Sequence, residues 1–134
     1  MRAIQLDQYG PAENFKVVEV PIPEPGENEV LIKAEVAGLV FADTLMRRGD
    51  YLNLPSSLPF IPGREVAGIV EKVGKKVTSV KPGMRVTANM HTGGYAEYAK
   101  AYAKDVIRLP DRVSFSQGLV YHINLRIAHR FTGT

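Results

Sequence analysis

The segment Pro59–Gly74 reads PFIPGREVAGIVEKVG. Its second half, Glu65–Val73 (EVAGIVEKV), alternates as a strand with one buried face does. Gly63, Gly68 and Gly74 mark turns or points of close backbone approach. Directly before this strand, Arg64 precedes Glu65. Such a charged pair is either a turn held for its own stability or the polar part of a site, and the rest of the chain must decide which.

Outward from this strand, Val30–Val36 sets Val30, Ile32, Ala34 and Val36 against Leu31, Lys33 and Glu35, again with a period of two. Phe15–Val20 (FKVVEV) is rich in β-branched residues, and the rigid PIPEPGE connection separates these two runs. Arg85–Asn89 and Tyr95–Ala101 read as further short strands, the second introduced by Thr92-Gly93-Gly94, which reads as a hairpin turn. Ala42–Arg48 reads as a helix with Gly49 as its C-cap and two basic residues suited to its C-terminus. Ser114-Phe115-Ser116-Gln117 is a capping box. After it, Phe115, Leu119, Ile123, Ile127 and Phe131 stripe one helix face. The expected fold is mainly β, with short helices and a C-terminal amphipathic helix. No GxGxxG or P-loop pattern follows any strand, so no Rossmann domain is expected in these residues.

The 134 residues are 45% hydrophobic and 23% charged, as in an ordinary globular domain. A formal charge of +3 is mild. The lysines at 72, 75, 76 and 81 read as a solvated loop, because no aromatic platform or DNA-binding helix accompanies them; no nucleic-acid partner is expected. There is no cysteine, which removes disulfides, thiolate nucleophiles and sulfur-bound zinc, and fits a cytoplasmic location. No run approaches the ~20 apolar residues of a membrane span, and the N-terminus lacks a signal-peptide core. His91, His122 and His129 form no ligand motif. On a helix the last two would stand about 10 Å apart.

Four stretches in order carry a resemblance: VAGLVFADTLMRRGDY (Val36–Tyr51), IPGREVAGIVEKVGKKVTSVKPGMRV (Ile61–Val86), GGYAEYAKA (Gly93–Ala101) and RLPDRVSFSQG (Arg108–Gly118). Together they resemble the GroES-like N-terminal domain of the alcohol dehydrogenase-like, medium-chain dehydrogenase/reductase superfamily, nearest to its zinc-independent quinone oxidoreductase branch. The resemblance implies an irregular GroES-like β-barrel over residues 1–117. Residues 118–134 would be the C-terminal helix and tail, where the link to a nucleotide-binding domain would start.

The resemblance also implies a site. Zinc-dependent members carry Gly-His-Glu where this chain has Gly63-Arg64-Glu65, and a cysteine where it has Val40. Arginine has no lone pair to offer a metal and valine offers nothing, so no zinc is expected. Asp43, Tyr51 and Val40 would line the substrate cleft, and Arg64 and Glu65 would face the cofactor. Arg64 would meet a phosphate or a polar substrate group, and Glu65 would anchor the loop through a buried ion pair. Each has a plainer alternative. Asp43 is also a favourable acid at a helix N-terminus, Tyr51 a loop tyrosine, and the Arg64–Glu65 pair a structural turn. None of the five is expected to be catalytic.

Three departures stand out. Val40 replaces the asparagine usual in quinone reductases, Met84 replaces the aspartate of Gly-Asp-Arg-Val, and Ile127-Ala128-His129 replaces a Thr-Ala-Tyr segment that meets the cofactor. The expected function is the substrate domain of an NADPH-dependent quinone or enone oxidoreductase, truncated or stand-alone, with no cofactor bound to this chain alone. The alternative is a non-catalytic domain that binds small molecules or a partner. The apolar stripe further implies a homo-oligomer joined through the C-terminal helix.

Overall fold

The computed structural model describes residues 1–52, 54–55 and 57–120. Among the described residues, seven strands form two antiparallel sheets. Strands β1 (Arg2–Leu6) and β2 (Phe15–Glu19) make a ribbon. Strands β3 (Glu29–Ala37), β4 (Glu65–Val73), β5 (Arg85–Asn89), β6 (Tyr98–Tyr102) and β7 (Val106–Arg108) make a curled sheet of order β6-β3-β4-β5-β7. One α-helix, α1 (Phe41–Arg48), lies between β3 and β4. Residues 115–120 are helical. Among the described residues, no helix is long and apolar enough to cross a membrane.

The alternation in the sequence gives β4 and β5 the bounds expected, and the β3–β4 pair carries the sheet. Its register slips twice. Leu31 pairs with Lys72 but Ile32 with Val70, leaving Glu71 as an extra residue; Ala34 pairs with Gly68 but Val36 with Ala67, leaving Glu35 extra. Both extra residues are exposed glutamates. Bulges of this kind bend a strand and increase its twist, and here they curl the sheet toward a barrel.

The second bulge changes one expectation. Val30 and Ile32 are fully buried in a main core with Val66, Val70, Val80, Val86 and Ala99, and Ala34 packs against it. Val36 packs instead with Ala67, Leu109 and Leu119 in a second cluster. Inserting Glu35 shifts the alternation by one, so Val36 faces away from Val30 and Ile32.

Arg85 secures this second cluster. Its guanidinium donates to the carbonyls of Pro110 at 2.9 Å, Asp111 at 3.3 Å and Val113 at 2.7 Å, and stacks over Phe115 at 4.5 Å. The expected capping box follows: Gln117 N–H donates to Ser114 Oγ at 3.1 Å, and Ser114 N–H to Gln117 Oε1 at 3.0 Å. Met84 packs against the main core, so the residue standing in for a turn acid contributes apolar contact. Of the helical stripe, Phe115 is half-buried and Leu119 buried; Ile123, Ile127 and Phe131 lie outside the described residues.

Gly68 is the tightest point in the sheet. A Cβ there would lie 2.0 Å from the Lys33 carbonyl oxygen, a backbone atom that cannot swing away. Gly68→Ala is expected to cost roughly 2–4 kcal/mol by forcing the central pair apart. Gly83 has open space around it and a φ of +91°, so Gly83→Asn should cost less than about 1 kcal/mol. Urea unfolding followed by circular dichroism measures both, and equal midpoints for Gly68→Ala and wild type would show that the close approach carries no stability.

Candidate active-site cleft

Val40 ends the extended chain before α1, with φ −120° and ψ 158°. It has no side-chain acceptor with which to cap the helix. Asp43, three residues on, reaches back instead, and its Oδ2 accepts the Val40 N–H at 3.0 Å. The helix closes at Gly49, whose φ of +83° favours glycine. Gly10 N–H donates to the Arg47 carbonyl at 2.8 Å, tying the helix end to the N-terminal loop. A side chain implied as a substrate contact thus serves as the helix N-terminal acid of the plainer sequence reading.

Two glycine loops assemble the other wall. Gly93 N–H donates to the Ile61 carbonyl at 2.6 Å, Tyr95 N–H to Pro62 at 2.9 Å, and Gly94 N–H to Gly63 at 3.1 Å. A Cβ on Gly63 (φ +106°) would sit 2.5 Å from the Tyr95 nitrogen. The expected Gly93–Gly94 hairpin does not form, because β5 pairs with β4 and β7 while β6 pairs with β3. β5 and β6, consecutive in the chain, are not neighbours in the sheet, and the glycines serve to pack one loop on another.

This lacing brings Tyr95 to the start of α1. Its hydroxyl donates to Asp43 Oδ2 at 2.7 Å, so a single carboxylate oxygen accepts from both Tyr95 and Val40. Asp43 is 5% exposed and Glu65 9%. Gly38 makes room for Glu65: a Cβ on Gly38 would lie 2.0 Å from Glu65 Oε1. Burial, then the nearby negative charge of Asp43, holds the Glu65 carboxyl above its ordinary pKa. Burial first, then the hydrogen bond to Asp43 and the two carboxylate charges, raises Tyr95 far above a free tyrosine.

The buried ion pair expected at Glu65 does not form. Among the described residues no lysine or arginine pairs with it, and its charged neighbour is an acid. Arg64 turns to Tyr51 instead, its guanidinium carbon 5.2 Å from the ring centroid, which is a cation–π distance. The five residues singled out from sequence therefore form two groups. Val40, Asp43 and Glu65 share one polar cluster, Tyr51 and Arg64 form a stacked pair, and the Arg64–Glu65 peptide joins them. Sequence reasoning missed Tyr95, treating it as a strand residue after a turn. Its only signal was an aromatic directly after the Gly-Gly of GGYAEYAKA.

Two polar atoms here are buried without a hydrogen bond, Asp43 Oδ1 and Arg64 Nη1. Such atoms cost stability unless water or a ligand satisfies them. Nearby in the chain, Leu39 is 83%, Phe41 74% and Leu52 100% exposed. Unmatched polar atoms near exposed apolar side chains are the ingredients of a small-molecule site. Among the described residues no group of three His, Cys, Asp or Glu side chains could hold a metal ion.

Residues 26–111 match the alcohol dehydrogenase GroES-like domain. The chain is 42% identical to the quinone oxidoreductase of Lama guanicoe over 97% of its length and 40% of the relative's. It is 45% identical to the Sus scrofa quinone oxidoreductase, over 88% of this chain and 36% of that one. Among solved structures, the human synaptic vesicle membrane protein VAT-1 homolog-like protein superposes with a TM-score of 0.92 at 32% identity, over 98% of this chain and 42% of that chain. The Escherichia coli quinone oxidoreductase complexed with NADPH gives 0.84 at 35% identity, over 89% and 36%. The chain spans about two-fifths of the length of the relatives it matches. With this curled sheet, and with quinone oxidoreductases aligned along nearly its whole length, the chain belongs to the alcohol dehydrogenase GroES-like domain family.

Proposed function

We propose that these residues form the substrate-binding domain of an NADPH-dependent oxidoreductase that reduces quinones or enones without zinc. The observation that carries this reading is Arg64: it stacks on Tyr51 while keeping a buried Nη1 without a partner. A flat carbonyl compound offers a π-face to the tyrosine and an acceptor oxygen to the guanidinium, and a cofactor phosphate would suit the same donor. NADPH would supply the hydride. The protein's share is binding, orientation and exclusion of water. Arg64 binds and orients, the unpartnered Asp43 Oδ1 accepts a hydroxyl or N–H, Glu65 keeps its proton more tightly than a free carboxyl, and Leu39, Phe41 and Leu52 shed water when covered. Val40 adds only apolar surface.

Val40 also favours a second reading, a binding domain without catalysis, because it presents no polar atom where a quinone reductase of this type has an amide. The cysteine-free composition supports placing the protein in the cytoplasm. The 134-residue chain has no glycine-rich dinucleotide loop, so alone it is expected to show no NADPH-dependent quinone reduction above background. It should still bind tetramethylbenzoquinone, whose ring positions are blocked against amine addition. In an NMR titration, Tyr51 and Arg64 should shift, and Arg64→Ala should weaken binding by about tenfold. No shift at either residue up to millimolar quinone would sink the reading, and turnover surviving repurification would refute the expected inactivity.

Self-association through the C-terminal helix is a separate part of the proposal, set against the fact that Phe115 and Leu119 already pack within the chain. Light scattering of the wild type against Ile123→Asp/Ile127→Asp tests it. A dimer at high micromolar concentration that the double variant abolishes is the expected result, and a wild-type monomer would end the idea.

Glu65 sets a pH dependence. Its pKa is raised on folding, so the folded state binds the proton more tightly. This contribution to stability is full below the unfolded value near 4.5 and is lost as pH rises through the folded one. Glu65→Gln should therefore raise the melting temperature relative to wild type at pH 7, and the gain should shrink toward pH 4. A difference independent of pH would show that folding does not raise the proton affinity of this carboxyl.

A further inference from the structure

We propose that Tyr95 is a positioning residue of the cleft, acting through Asp43 on Val40 and on the apolar segment Leu39–Phe41. The inference rests on the functional reading above only for what the cleft binds. Tyr95 and Asp43 are far apart in sequence, and their 2.7 Å hydrogen bond joins two otherwise separate pieces of backbone. On one side, Asp43 Oδ2 also holds the Val40 N–H at the start of α1. On the other, the Gly93–Tyr95 loop is laced to Ile61–Gly63, the residues directly before Arg64. Tyr95 thus closes a loop of contacts from the lip of the cleft to its cation.

The rest of α1 does not duplicate this tie. Gly10 holds its far end, at Arg47, and at its first turn the Asp43 carboxylate has, among the described residues, no donor besides Val40 and Tyr95. Asp43 Oδ1 is unpartnered, so without the Tyr95 hydroxyl the carboxylate keeps one donor while buried near Glu65. It would then turn toward water and carry Val40 and Phe41 with it. Met46, fully buried one turn later, anchors the helix body, so the movement is confined to the end that borders the cleft.

Tyr95→Phe removes the hydroxyl and keeps the ring. Val30→Ala, a truncation in the main core away from the cleft, serves as the control for general destabilisation. Hydrogen exchange of the Val40 and Asp43 amides in the ligand-free chain should accelerate by about tenfold in Tyr95→Phe. Tetramethylbenzoquinone should bind it about tenfold more weakly. In Val30→Ala, affinity should stay near wild type. In a cycle with Asp43→Asn, the two losses of affinity should not add, because both variants cut the same tie. Unchanged Val40 exchange in Tyr95→Phe overturns the proposal, and so does faster exchange with unchanged affinity, which would leave Tyr95 a purely structural role. If the wild type binds no quinone, the functional reading fails, and exchange alone decides whether Tyr95 holds the start of α1.

Discussion

The Lys33 carbonyl occupies the space that a side chain on Gly68 would need. That approach draws the two central strands together, and the remaining strands are added to them, β6 on β3 and β5 then β7 on β4. The bulges at Glu71 and Glu35 twist this pair, so the sheet curls and buries two clusters. The curl also has a functional consequence. The last residues of β3 lead to Gly38 and α1, and β4 begins at Glu65, so α1 and the Arg64–Glu65 turn arise at the same end of one strand pair. The Gly38 N–H donates to the Glu65 carbonyl at 3.0 Å across that end. The residues of the proposed site are carried at that end of the pair.

The polar groups of the cleft are costly by ordinary standards of folding. Two acids are buried close enough for one to raise the other's proton affinity, and among the described residues no arginine or lysine compensates them. Arg64, the cation beside them in sequence, is spent on Tyr51 and leaves a donor unmet. A chain selected for stability alone would pair Arg64 with Glu65, since one unpaired partner of a buried pair costs several kcal/mol. Surface pairs elsewhere, such as Lys75 and Lys76 on Glu27, show the ordinary arrangement. Buried polar atoms without partners, Asp43 Oδ1 and Arg64 Nη1 among them, are available to a ligand.

Most of the frame was legible in the chain. The alternation in Glu65–Val73 and Arg85–Asn89, Gly49 after two arginines, and the Ser114–Gln117 box each report a local preference, and local preferences survive folding. What escaped was long-range. Arg2–Leu6 is a strand because β2, Phe60 and Ala96 accept it, and nothing within RAIQL announces those partners. Val36 changes cluster because of a bulge, a property of two strands together. The contact between Tyr95 and Asp43 spans 52 residues and depends on two glycine loops meeting. The site residues were named through family resemblance, but their grouping was not. Adjacency in sequence implied an Arg64–Glu65 pair, whereas consecutive residues entering a strand point to opposite sides.

That separation bears on the proposed reading, carbonyl reduction without zinc. In the zinc-dependent relatives the residue at the Arg64 position helps hold a metal. Here the same position holds a delocalised cation that cannot lose its charge near neutral pH. If the proposed reading is right, charge developing on a carbonyl oxygen meets an N–H donor in a partly dry site, where such a bond is stronger than in water. The donor must stay free of Glu65 to do this, and stacking on Tyr51 keeps it free. Glu65, denied a cation and set beside Asp43, holds its proton more firmly than a free carboxyl. Asp43 Oδ2 accepts from two donors, the Val40 N–H and the Tyr95 hydroxyl.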